Sequence, residues 1–223
     1  MRDIVPAAMT SVSTNAAGAS FYAVAQDGAL LWYRHDGFVN GEPRWKGPVK
    51  VGSGWQSFKK VVAAGDGVLY GVGTDGSLRW YRHNDVADPA AAAPKWTGPQ
   101  VVGSSWGHFV HIFSTGEGVI YGVDPQGKLW WYKHRGYLTG TQDWAGPKQV
   151  GTGWAGFKKV FSPSEGYIYA LTQAGELLWY QHQGYQDGTV RWRGPTPLGR
   201  RIGGDYKFVF SAMQGTPQAP VVR

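Results

Sequence analysis

The sequence predicts an all-β fold, a single β-propeller of four-stranded antiparallel blades, and three observations predict it. The tetrapeptide Trp-Tyr-x-His occurs four times, at Trp32–His35, Trp80–His83, Trp131–His134 and Trp179–His182, with spacings of 48, 51 and 48 residues. Two further markers hold the same phase: Trp-x-Gly-Pro at Trp45, Trp96, Trp144 and Trp192, and Val-Gly-x-x-Trp ending at Trp55, Trp106 and Trp154. No stretch carries a sustained helical period. Self-similarity at about fifty residues is the mark of a repeat architecture whose units bury their faces against one another.

Each unit reads as four short strands. The first is Phe58–Ala63, matched by Phe109–Ser114, Phe157–Ser162 and Tyr206–Ser211. The second runs into Tyr70-Gly-Val, matched at Tyr22, Tyr121 and Tyr169. A turn follows at Asp27-Gly28 and Asp75-Gly76, with the variants Gln126-Gly127 and Ala174-Gly175. Asp-Gly between β-like runs is a hairpin signal, because Gly accepts the positive φ of the turn. The third strand carries Trp-Tyr-x-His. Its two faces, Leu78, Trp80, Arg82 and Arg79, Tyr81, His83, are both largely apolar, as expected of a sheet covered on each side. The fourth carries Trp-x-Gly-Pro, and its Pro places it on an outer edge.

The ends suggest how the ring closes. The first well-matched strand is Phe21–Val24, and the chain finishes with one more copy of the first-strand motif, Tyr206–Ser211. That last strand is expected to complete the first blade, so that N- and C-terminal strands share it. The organisation is then an N-terminal tail or extra strand over 1–19, a propeller over 20–211 and a C-terminal tail over 212–223. Four blades are preferred; a degenerate fifth sheet from the poorly matched N-terminus is the alternative.

Composition narrows the function. With no cysteine in 223 residues, disulfide frameworks, thiolate zinc sites and Cys nucleophiles are excluded, and the redox compartment stays open. No apolar segment reads as a signal peptide or a membrane span, so membrane insertion is not expected; the localisation stays unknown. A net charge of +7 invites a nucleic-acid reading, but the longest basic runs are pairs such as Lys59-Lys60, Lys158-Lys159 and Arg200-Arg201, and no nucleic-acid partner is expected. Elbow, zincin and phosphate-loop motifs are missing, and no carboxylate pair recurs, so neither catalytic residue nor cofactor is expected.

The order Phe-x-x-[Val/Ile]-[Phe/Val], Tyr-Gly-Val, Asp-Gly-x-Leu, Trp, then Val-Gly-x-Gly-Trp resembles the tachylectin family of β-propeller lectins over about residues 20–211. The resemblance implies binding of N-acetylated amino sugars, such as N-acetylglucosamine or N-acetylgalactosamine, at repeated sites. The best-known member has five blades, from which this sequence departs.

Trp55, Trp106 and Trp154 are the first candidates for sugar binding. A sugar packs its C–H face on indole while fixed polar groups hold its hydroxyls. These tryptophans lie in Gly-rich connections, where an inter-blade wedge is the competing reading. In repeat four Gly203 stands where the Trp belongs, which leaves three strong sites. The Trp-x-Gly-Pro tryptophans are expected to pack, and Trp32, Trp80, Trp131 and Trp179 to form core. His35, His83, His134 and His182 share one repeat position and are the further candidates for sugar binding; they are expected to close strands by hydrogen bonding or line a repeated pocket, and no metal is expected, because equivalent positions diverge around a ring. The loop aromatics Phe38, Tyr137 and Tyr185 are read as covering blade edges. The function expected is a multivalent carbohydrate-binding protein, its oligomeric state open. Two rivals stand: a protein-interaction propeller using the irregular Ala90–Pro94 loop, and a single-site enzyme on the same scaffold.

Overall fold

The structure, a computed structural model, describes residues 3–6, 19–37, 42–87 and 93–199. They form four antiparallel sheets of four strands in a ring, a four-bladed propeller with almost no helix. Blade 1 is β1 (Asp3–Pro6), β2 (Ala19–Val24), β3 (Leu30–His35) and β4 (Trp45–Gly52). Blade 2 is β5 (Lys60–Ala63), β6 (Val68–Val72), β7 (Leu78–His83) and β8 (Trp96–Gly103). Blade 3 is β9 (His111–Gly116), β10 (Val119–Val123), β11 (Leu129–His134) and β12 (Trp144–Gly151). Blade 4 is β13 (Phe157–Phe161), β14 (Tyr167–Thr172), β15 (Leu177–His182) and β16 (Trp192–Gly199). The first strands of successive blades touch, β1 with β5, β5 with β9 and β9 with β13, so they surround the axis, and the Trp-x-Gly-Pro strands lie at the outer edges.

One detail of closure differs from expectation. The inner place of blade 1 is taken by Asp3–Pro6, which pairs antiparallel with β2 from Asp3 opposite Val24 to Pro6 opposite Phe21. Tyr206–Ser211, expected there, lies outside the described residues. The short Asp-Ile-Val-Pro run lacks the Phe-led pattern of the other first strands, which is why the repeat did not reveal it.

The core follows from the strand sequences. β6 and β10 are buried along their whole length, as strands sandwiched on both faces must be. The Gly of Tyr-Gly-Val makes room for a ring: a Cβ on Gly71 would lie 2.7 Å from Phe58, and one on Gly122 2.7 Å from Phe109. The Gly of Trp-x-Gly-Pro is required by conformation. Gly98 has φ +102°, at the register shift between Trp80 and Arg82, and a Cβ there would meet the Trp80 carbonyl oxygen at 2.7 Å.

Blades are tied by a repeated lock. Tyr22 Oη donates to His83 Nδ1 (2.7 Å), Tyr70 Oη to His134 Nδ1 (2.6 Å) and Tyr121 Oη to His182 Nδ1 (2.7 Å), each bond running from one blade to the next. The third-strand tryptophans Trp32, Trp80 and Trp131 are 0–1% exposed. Loops strap them: Trp80 Nε1 donates to the Tyr137 carbonyl (2.6 Å) and Trp131 Nε1 to the Tyr185 carbonyl (2.7 Å), so these loops cover the preceding blade. Repeat two, whose loop contains the insertion, has no such strap among the described residues, and Trp32 Nε1 is buried without a hydrogen-bond partner. Residues 88–92 of that loop lie outside the described residues.

Candidate functional site

Three aromatic niches recur at one end of the ring, where the connection from each outer strand crosses to the next inner strand. Each begins with a residue in the left-handed region, Gly54 (φ 80°), Ser105 (φ 62°) or Gly153 (φ 80°), and makes a single 3-10 turn led by Trp55, Trp106 or Trp154. The Trp backbone N–H anchors the turn on the hairpin of the blade just left: Trp55 on the Gly28 carbonyl (3.1 Å), Trp106 on that of Gly76 (2.9 Å), Trp154 on that of Gly127 (3.0 Å). This ties together the two sequence markers, Asp-Gly-like turn and Gly-x-x-Trp.

The indole then meets the next blade. Trp106 lies 4.6 Å from Tyr132, 5.8 Å from Trp144 and 5.6 Å from Phe109, centroid to centroid. Trp55 repeats this with Tyr81 (4.9 Å), Trp96 (6.0 Å) and Phe58 (5.5 Å). Trp154 repeats it with Tyr180 (4.8 Å), Trp192 (5.8 Å) and Phe157 (5.5 Å). The outer-strand tryptophans close each interface: Trp96 Nε1 donates to the Val51 carbonyl (2.7 Å), Trp144 Nε1 to that of Val102 (2.9 Å) and Trp192 Nε1 to that of Val150 (2.8 Å).

Trp55, Trp106 and Trp154 are only 5–6% exposed. Their broad faces are spent on neighbouring rings, so the wedge role is realised. What the niche shows to solvent is the connection above the indole and the half-buried rings beside it. Ser53, Gly54, Ser104, Ser105, Thr152 and Gly153 are exposed, and nothing lies within 4 Å of where a Cβ on Gly54 or Gly153 would stand. Burial pushes the hydroxyls of Tyr81, Tyr132 and Tyr180 up from the ordinary tyrosine range, so they remain neutral groups able to donate and accept.

The histidines are placed elsewhere. His83, His134 and His182 are 0% exposed, each stacked on an outer-strand Trp. His134 Nε2 donates to the Thr141 carbonyl (2.7 Å) and His182 Nε2 to that of Thr189 (2.9 Å). A carbonyl only accepts, so Nε2 carries the proton and Nδ1 accepts from the Tyr hydroxyl. Burial holds all three below the ordinary histidine range, His83 at about 4. His35 is half-buried, stacked on Trp45 and bonded through Nε2 to the Glu42 carbonyl (2.8 Å). None of the four lies at the niche end of its blade; they end the third strands, opposite the hairpins. The Tyr partners of these histidines were missed in the sequence. Their signal was available, a Tyr at one fixed place in every second strand.

Among the described residues no three His, Asp or Glu side chains converge as a metal site, and no helix is long and apolar enough to cross a membrane. The family model described as Tachylectin matches residues 8–155 and, in a second alignment, 139–219. No curated protein matches the chain.

Proposed function

Because the chain belongs to the Tachylectin family, we propose that it is a multivalent lectin that takes an N-acetylated amino sugar, such as N-acetylglucosamine or N-acetylgalactosamine, at each of its three aromatic niches. The observation that carries this reading is the threefold repetition of one niche, with the same rings at nearly the same distances, at one end of the molecule. In this reading Trp55, Trp106 and Trp154 are the floor of each niche, supporting the connection rather than stacking face-on. The exposed connection backbone and the Tyr81, Tyr132 or Tyr180 hydroxyl hold the sugar's hydroxyls and acetamide. His83, His134 and His182 hold neighbouring blades together, His35 closes its own blade, and in this reading none of the four touches the sugar.

Single shallow pockets of this kind bind weakly, on the order of millimolar to micromolar. Three on one rigid face gain roughly 100-fold on a multivalent glycan surface. Isothermal titration with N-acetylglucosamine and N-acetylgalactosamine tests the reading, with about three equivalent sites expected. Trp106→Phe keeps a ring in the interface while altering the floor, and is expected to remove one of the three sites. Unchanged stoichiometry in that variant rejects the niche assignment; silence of the native protein with both sugars, supported by a glycan array, rejects the lectin.

A further inference from the structure

Basic residues that look scattered along the sequence are gathered by the fold. Lys60, His111 and Lys159 stand at one register position in the inner strands of three successive blades: Lys60 opposite Val72, His111 opposite Val123, Lys159 opposite Leu171. Asp3, opposite Val24, holds the same place in blade 1. Because the inner strands touch one another around the axis, this row encircles it, at the end where the three niches lie.

The Lys60 and His111 side chains lean across the blade interfaces in one sense. Lys60 Nζ donates to the Phe109 carbonyl (2.8 Å), and His111 Nε2 to that of Phe157 (3.1 Å), each in the next blade. A carbonyl takes one ammonium proton and leaves the others for a ligand. All three residues are half-buried. His111 senses both lysines. Lys60 is held below the ordinary lysine range, first by desolvation and then by Lys59. His111 is lowered chiefly by desolvation, with Lys60 and Lys159 adding to it against its bond to Phe157. Among the described residues no carboxylate figures in either balance. Like charges brought together in partly desolvated ground favour an anion, whose attraction is less screened there than on an open surface.

We propose that this row is a single anion-binding site on the propeller axis, taking the carboxylate or sulfate of an acidic saccharide. Lys60 and Lys159 meet the anion from two sides and His111 stands between them. The saccharide part rests on the lectin reading; the anion part rests on the row alone. A converging row gives one site per chain, in contrast to the three diverging niches.

The test is isothermal titration of the full chain with glucuronate, glucose and inorganic sulfate, at low and raised salt. One glucuronate per chain is expected, weakened by salt, with glucose silent at this stoichiometry and sulfate weaker. The double variant Lys60→Met, Lys159→Met should raise the glucuronate Kd about tenfold or more, while Lys60→Arg, which keeps the charge, should leave it nearly unchanged. N-acetylglucosamine titrated into the same samples reports on the niches and on folding. Equal glucuronate affinity in the double variant, or no saturable binding by the native chain, overturns the site. Sulfate binding as tightly as glucuronate overturns the saccharide as its ligand. Glucuronate binding with N-acetylglucosamine silent sinks the niche reading and leaves this one standing.

Discussion

The interface between blades 2 and 3 and the seam between blades 4 and 1 are built from the same repeat and differ in what they complete. In the first, Tyr70 donates to His134, Trp144 donates to the Val102 carbonyl, and Trp80 and Val102 are 0% and 2% exposed. At the seam, Tyr169 is half-buried, and His35 keeps the Nε2 bond to the Glu42 carbonyl that His134 makes to Thr141. Among the described residues no bond joins this Tyr and His. Trp45 is 54% exposed, Leu198, the counterpart of Val102, is 52% exposed, and Trp179, the counterpart of Trp80, is only partly buried. The sequence departs from the repeat at the same place, with no Trp between Leu198 and Tyr206. The comparison teaches that a blade's aromatic set is not stable surface by itself. Its burial, and its hydrogen bonds, arrive with the next copy.

The largest effect expected is from cutting the core on each side of this contrast. Trp131→Ala, at a side chain 1% exposed, should cost ~3–5 kcal/mol, and Trp179→Ala at the seam roughly half of that or less. Urea unfolding of the two variants measures it, and equal losses would mean that the seam is packed as tightly as the rest.

Acid should act on the locked interfaces next. His83, held from 6.5 down to about 4 by burial, favours its neutral form in the folded state. Its contribution is therefore full above pH ~6.5 and lost as the pH falls from there towards 4, a loss of about 3 kcal/mol for this residue alone. His134 and His182 shift in the same direction and add to it. Denaturation midpoints between pH 7 and pH 4 should fall steeply, and a flat profile would contradict the neutral, buried histidines. Smallest is the hydroxyl itself. Tyr70→Phe leaves His134 Nδ1 buried and unmet and should cost ~1–3 kcal/mol, whereas Tyr169→Phe should cost close to nothing. If both cost the same, the seam carries a lock after all.

Much of this was legible in the residues. Alternation with two apolar faces announced sheets packed on both sides, and the Pro of Trp-x-Gly-Pro announced the outer edge; β8 and its counterparts lie there. The tryptophans of the connections were legible as repeated and interfacial, but not as 5–6% exposed. A Trp in a Gly-rich stretch reads the same whether its face is open or covered, because the rings that cover it belong to the following repeat. The axial row was illegible for a similar reason. Lys60, His111 and Lys159 are chemically mixed and about fifty residues apart, and only the shared register beside β6, β10 and β14 brings them to one ring.

By itself, then, the sequence determined the unit: its four strands, its turns, and the glycines that admit a ring or a positive φ. Local sterics and period-two burial act within a few residues, so one repeat suffices to state them. Tertiary structure alone decided which copy each side chain serves. Within its own sheet Tyr22 stands opposite Trp32, and His35, three residues further on, points to the other face, so the Tyr must find its histidine in another copy. The choice falls to His83 because the twisted sheets stack face to face, and that packing brings a second strand against the histidine of the neighbouring blade.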